Sequence, residues 1–145
     1  VADKVLKHFN GDLKDKRIAV WGLAFKPGTD DVRETPALTI IETLLENGAA
    51  VYAHDPEAKD NFTKLLTPAN AAKVTYTNNA YDALEAADAM VLVTEWPFYQ
   101  RPNWEKVARL MRTKVVFDFR NQYNAKNLKD AGFHYDSVGR GHLKG

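Results

Sequence analysis

Apolar positions along the chain fall into short blocks of two kinds, separated by polar punctuation. The first kind is continuous: "RIAVW" at 17–21, "AAVYAHD" at 49–55, "DAMVLVTEW" at 88–96 and "TKVVFDFR" at 113–120. Runs without polar alternation suit strands buried on both faces of a parallel sheet. "KVTYT" and "FHYDSVG" are weaker versions of the same signal. The second kind repeats at helical spacing. Val1, Val5, Leu6 and Phe9 make one apolar face, as do Ala37, Leu38, Ile40, Ile41, Leu44 and Leu45, and later Trp104, Val107, Ala108 and Met111. Asn10-Gly11 supplies a stop for the first helix. Thr35-Pro36 opens the second, as N-cap and first helical residue, and Gly48 ends it. Asp55-Pro56-Glu57 repeats the cap-then-proline opening ahead of a helix over "EAKDNFTKLL", while "AYDALEAA" and "NAKNLKDAG" predict two short helices.

Strand and helix therefore alternate about six times, which predicts an α/β fold: a doubly wound, mostly parallel, Rossmann-like sheet of about six strands with helices on both faces. Such folds bind ligands outside the carboxyl ends of their strands, where the strand order reverses. The loops to inspect follow Trp21, His54, Val93 and Phe117. Residues 1–10 read as the end of a longer helix, 11–140 as the domain, and 141–145 as a loose tail. A chain of 145 residues suits one core, and a start at Val rather than Met suggests a piece of a longer protein.

Composition narrows the function classes. A formal net charge of +1 gives no general reason to expect nucleic acid or a membrane as partner. No apolar run approaches the roughly 18 residues a membrane span needs, and the N-terminus lacks the apolar core of a signal peptide. With no cysteine, the chain has no disulfide, no thiolate nucleophile and no thiolate metal site, which fits a cytoplasmic setting. His8, His54, His134 and His142 do not group into metal-ligand spacing, and Ser137 sits in no recognisable nucleophile elbow. No catalytic residue is expected in this chain.

The first loop, "GLAFKPGTDDVRE" at 22–34, lies where a dinucleotide fold carries its glycine fingerprint. It is long, its glycines are Gly22 and Gly28, and the bulky Phe25 and Lys26 stand where small residues should be. A standard NAD site is therefore rejected here. Phe25 is suited to a base or sugar and Lys26 to a phosphate, with Arg33 just before a helix N-terminus that also favours anions. The alternative is that Lys26 and Arg33 neutralise Asp30, Asp31 and Glu34 locally. Asp55 stands where an acidic residue holds a ribose in dinucleotide folds, but capping explains it. Trp96 either stacks on a ligand or packs under the sheet edge, and packing is the favoured reading. Arg120 either clamps a phosphate or carboxylate, or pairs with Asp118 or a glutamate.

Taken in order, "GLAFKPGTDDVRETPAL", "VYAHDPEA", "VLVTEWPFY" and "VVFDFRN" resemble the C-terminal domain of the UDP-glucose/GDP-mannose dehydrogenase family over nearly the whole chain. The resemblance implies a parent that oxidises the C6 alcohol of a UDP-sugar to a carboxylate in two NAD-dependent steps. It implies an N-terminal domain that binds the NAD and supplies the catalytic cysteine, and a central helix that makes a homodimer, with residues 1–10 as that helix's end. By the same resemblance Phe25, Lys26 and Arg120 contact the UDP-sugar and Arg33 reaches the NAD. Where the family often has glycine between the Asp and Arg of the last motif, this chain has Phe119. A stand-alone nucleotide-binding or assembly module, or the same domain from an enzyme of UDP-N-acetylsugars or GDP-mannose, are the alternatives.

Overall fold

The computed structural model describes residues 2–137. Six strands form one sheet: β1 (Arg17–Trp21), β2 (Ala50–His54), β3 (Val74–Tyr76), β4 (Ala89–Leu92), β5 (Val115–Asp118) and β6 (His134–Ser137). Their order is β3-β2-β1-β4-β5-β6 and every neighbouring pair is parallel. The expected Rossmann-like sheet is therefore present. Each fully apolar run lies inside it: Ile18 to Trp21, and every residue of β4 and β5, are buried. Strand order reverses between β1 and β4. Right-handed crossovers consequently lay the β1-to-β3 connections on one face and the β4-to-β6 connections on the other.

Six helices connect or cover the strands. α1 (Ala2–His8) packs beside α2 (Pro36–Glu46) and over the β5–β6 end of the sheet, where the Lys4 ammonium meets Asp136 at 2.8 Å and the Ser137 carbonyl at 3.0 Å. It stops at Asn10 and Gly11, both at positive φ, with the Gly11 N–H returned to the Leu6 carbonyl. Thr35 caps α2, accepting from the Ala37 N–H, with Pro36 at the first helical position. The stripe Ala37, Ile40, Ile41, Leu44 and Leu45 is buried, and Gly48 at φ +98° ends the helix.

The helix expected over "EAKDNFTKLL" is shorter than its pattern. The Asp55 carboxylate accepts the Glu57 and Ala58 amides, so the chain turns before α3 (Lys59–Thr63) begins. A further turn, α4 (Pro68–Ala71), follows with Thr67 as its cap. "AYDALEAA" contracts to a 3₁₀ turn at Tyr81–Leu84, because Ala86 adopts φ +56° and breaks the run. α5 (Trp104–Leu110) and α6 (Ala125–Asp130) form where expected, each capped by an asparagine side chain. The expected tail 141–145, with His142, lies outside the described residues.

The sheet's reversal point closes on Gly22. This residue sits at φ +99°, and a Cβ built on it would come within 2.4 Å of Thr94 Cβ and 2.5 Å of the Thr94 nitrogen. Only a glycine lets the chain leaving β1 pass the chain leaving β4. The Thr94 hydroxyl then donates to the Ala24 carbonyl at 2.6 Å, fastening the two exits. Gly22→Ala is expected to destabilise the domain by about 2–5 kcal/mol, combining left-handed backbone cost with overpacking. Urea unfolding checks this, and a loss below about 0.5 kcal/mol, the range of a neutral surface change, would contradict it.

Candidate functional site

The carboxyl edge of the sheet is built outward from Asp55, the residue after β2. Its carboxylate is buried and takes five donors. One oxygen accepts from the Leu23 N–H at 2.7 Å, the Ala24 N–H at 3.0 Å and the Trp96 indole N–H at 3.2 Å. The other accepts from the Glu57 and Ala58 amides, each at 2.8 Å. Capping was the expected role, but α3 begins at Lys59 with Ala58 as its N-cap and no side-chain cap, so the two downstream amides close a turn ahead of the helix instead. The three other bonds were not visible in the sequence, since their donors lie 31 to 41 residues away. They tie the loops after β1 and β4 to the end of β2.

This arrangement gives a physical reason for the missing glycine fingerprint. In a dinucleotide fold the amides of the first loop point at a pyrophosphate. Here two of those amides point at a protein carboxylate. The acidic residue that would hold a ribose is itself fully engaged by protein donors.

The rest of the first loop rises from this anchor. Thr35 donates from its hydroxyl to the Leu23 carbonyl at 2.8 Å, and the Phe25 N–H returns to the Asp31 carbonyl at 3.0 Å. The Asn61 side-chain amide holds the Asp30 carbonyl at 3.1 Å. The backbone is thus fixed at both ends while the tip projects. Phe25 is 37% exposed, and Lys26 is exposed with its ammonium 5.4 Å from the Phe25 ring centre. Among the described residues Lys26 makes no ion pair.

Arg33 behaves differently. Its Nε and Nη2 grip the Asp31 carboxylate at 3.0 and 2.6 Å, with the side chain 88% exposed. Hydrogen bonds from Arg33 hold the Asp31 carboxyl below its ordinary range. The local-neutralisation reading thus describes Arg33 as it stands, while Lys26 makes no ion pair among the described residues and only adds its charge to the field that lowers the Asp31 carboxyl.

Trp96 is buried, and its N–H is engaged by Asp55, so packing under the sheet edge is the role the structure shows. Phe98 stacks against it at 6.2 Å between ring centres and is 53% exposed. Trp21 stacks on Tyr99 at 4.8 Å, and the Tyr99 hydroxyl bonds both Nδ1 and the carbonyl of His54 at 2.6 and 2.9 Å. Burial lowers the His54 pKa and raises that of Tyr99. Both therefore sit neutral and support the edge from beneath.

After β5 the pattern of anchor and projecting cation repeats. Asp118 is fully buried and accepts from the Arg120 N–H at 2.9 Å, the Tyr123 N–H at 2.9 Å and the Tyr135 hydroxyl at 2.8 Å. Phe119 turns its ring into the edge of the core, and its N–H reaches the Leu92 carbonyl at 2.9 Å. The bulkier residue leaves the Arg120 backbone tied to Asp118. The Arg120 guanidinium bonds Glu95 through Nε. Of the two alternatives for an ion pair, the structure selects the glutamate, contributed by the loop after β4.

Phe25, Lys26, Arg33 and Arg120 therefore all lie on one edge of the sheet, the first three on the loop after β1 at the reversal point and Arg120 on the loop after β5. Two pockets also open along this edge. One, of about 390 Å³, is lined by Gly28, Thr29, Asp30, Glu57 and Trp96. With two carboxylates and no cation it does not suit a diphosphate. The other, of about 310 Å³, lies under Trp21, His54 and Phe98. Neither includes Lys26 or Arg120, which stand on the open rim. His8 and His134 pair far from this edge, ring centres 4.6 Å apart beneath α1. Among the described residues no cluster of His, Asp and Glu is arranged to hold a metal, and no helix is long and apolar enough to cross a membrane.

Residues 19–125 match the "UDP-glucose/GDP-mannose dehydrogenase family, UDP binding domain". The UDP-glucose 6-dehydrogenase of Pseudomonas aeruginosa is 44% identical over 140 residues, covering 94% of this chain and 31% of the relative. A solved UDP-glucose dehydrogenase from Pyrobaculum islandicum superposes with a TM-score of 0.71 at 33% identity, over 93% of this chain and 28% of that one. A solved NDP-N-acetyl-D-galactosaminuronic acid dehydrogenase from Methanosarcina mazei gives a TM-score of 0.76 at 25% identity, over 99% and 29%. The chain thus spans about a third of the length of the proteins it matches.

Asp55→Asn puts an amide NH₂ where either the Leu23, Ala24 and Trp96 donors or the Glu57 and Ala58 donors need an acceptor. Buried donors left unmet at about 1–3 kcal/mol each put the expected loss at about 2–5 kcal/mol. Urea unfolding measures it, and amide exchange at Leu23 and Ala24 should accelerate. Unchanged stability with unchanged exchange at both amides would show that the carboxylate is not the anchor.

Proposed function

The chain belongs to the UDP-glucose/GDP-mannose dehydrogenase family as its UDP-binding domain, and from that premise we propose that it is the nucleotide-sugar half of an NAD-dependent UDP-glucose 6-dehydrogenase. The observation that carries the reading is the projecting Phe25-Lys26 tip, whose ammonium makes no ion pair among the described residues, on a loop whose backbone is fixed by Asp55 and Thr35. An aromatic ring beside a free ammonium matches a sugar next to a diphosphate.

In this reading Lys26 and Arg120 offset the charge of the two phosphates, and Phe25 lies against the sugar or ribose. These residues position the substrate and break no bond. Among the described residues Asp55, Asp118, His54 and Tyr99 at this edge are engaged in holding the loops, which leaves none of these four free to act as nucleophile or general base. NAD, when bound, supplies the hydride acceptor, and its adenine and ribose are held outside this chain. Arg33 would reach the cofactor only after leaving Asp31, an exchange made easy by its exposure. The sugar oxidised is taken as glucose because the curated relatives are named for it. The full enzyme is a homodimer in this reading, acting in the cytoplasm.

Two measurements follow from an incomplete site. The purified 145 residues are expected to give no UDP-glucose-dependent NAD reduction, and sustained turnover by this chain alone would overturn the proposal. In the longer dehydrogenase chain that carries the domain, Lys26→Ala is expected to raise the KM for UDP-glucose by about 10- to 100-fold, the range for losing a charge-assisted phosphate contact. An unchanged KM would remove Lys26 from the substrate site.

A further inference from the structure

Arg120 reaches the rim on a short loop, and a guanidinium on a flexible stem loses much of its rotamer freedom when it is fixed on an anion. The structure shows that freedom already reduced. Glu95, three residues after the end of β4, accepts from Arg120 Nε, and the two side chains are 17% and 35% exposed. Glu95 is itself held by its chain neighbours. The Thr94 hydroxyl is bonded to the Ala24 carbonyl, and the Trp96 indole to Asp55. The backbone of Arg120 is fixed independently by Asp118. Both ends of the ion pair thus rest on buried carboxylate anchors.

The single bond through Nε has a chemical consequence. Among the described residues no protein acceptor meets the Arg120 Nη1 or Nη2 groups. The end of the fork remains free to take two oxygens of one anion. We infer that Glu95 is a positioning residue for the nucleotide-sugar site: it locks the Arg120 guanidinium side-on through Nε and presents the Nη1/Nη2 end to the diphosphate of the substrate.

This rests on the reading of Arg120 as a substrate contact, and the role of Glu95 is separable from it. A pair that only stabilised the fold would change stability and leave substrate affinity alone. A glutamate that merely competed with phosphate for Arg120 would weaken binding, and its removal would lower the KM.

The test is a double-mutant cycle in the longer dehydrogenase chain, read as the KM and kcat for UDP-glucose. Glu95→Ala is expected to raise the KM about 10-fold, the scale of re-immobilising one arginine side chain, with the change carried in KM rather than kcat. Glu95→Gln keeps an acceptor oxygen for Nε and is expected to fall between wild type and Glu95→Ala. In an Arg120→Ala background neither substitution should raise the KM further. Should Glu95→Ala fail to fold, the cycle run with Glu95→Gln carries the same test. A KM effect of Arg120→Ala without one for Glu95 substitutions overturns the positioning role alone. A fall in KM on removing Glu95 also overturns it, as does an effect of equal size with Arg120 absent. No KM effect of Arg120→Ala removes the underlying reading of Arg120, and the inference with it.

Discussion

The loops after β1, β2, β4 and β5 are fixed, directly or at one remove, by a buried carboxylate. Asp55 gathers donors from the loop after β1, from the chain that follows it, and from Trp96 after β4. Asp118 does the same for the loop after β5 and for Tyr135 on β6. A buried carboxylate is costly unless it is met by several donors, and here each is. The expense is offset because the donors are amides that would otherwise be unmet at the exits of buried parallel strands. Without these two residues, four loops would have to find separate means of orientation.

The arrangement separates rigidity from reach. Backbone near the sheet is closely held: Gly22 against Thr94, the Thr35 hydroxyl on Leu23, the Arg120 amide on Asp118. Side chains at the rim extend from that frame with little protein around them, as Phe25, Lys26 and Arg33 do. A site of this form has a firm floor and an open side. The chain itself spans about a third of the length of the relatives it matches.

Much of the fold was legible because a parallel sheet writes itself into sequence as unbroken apolar runs, and all four strong runs became strands, those of β4 and β5 buried throughout. The caps of α2 were equally local, hence readable. Short helices were less so. The pattern over 57–66 was helical in period, but a carboxylate at its start took two amides and delayed the helix by several residues. At the site, residue types were legible and connections were not. The sequence marked Phe25, Lys26, Arg33 and Arg120 as candidates, yet nothing local pairs Arg120 with Glu95 across 25 positions, or Asp55 with Ala24 across 31. Those depend on strand order, which places the ends of β1, β2, β4 and β5 side by side.

The Asp55 carboxylate lies where an anion would sit in a glycine-rich loop, as an internal substitute for a ligand. That sets this edge apart from folds that grip phosphate with first-loop amides. Replacing Asp55 alone leaves amides unmet in a dry setting, while shortening the loop alone leaves a charged group without its donors. Passage between the two designs needs both changes together, so drift one substitution at a time meets a barrier in either direction. The Leu23 and Ala24 amides are thereby withdrawn from any external anion, and what this loop offers outward is its side chains.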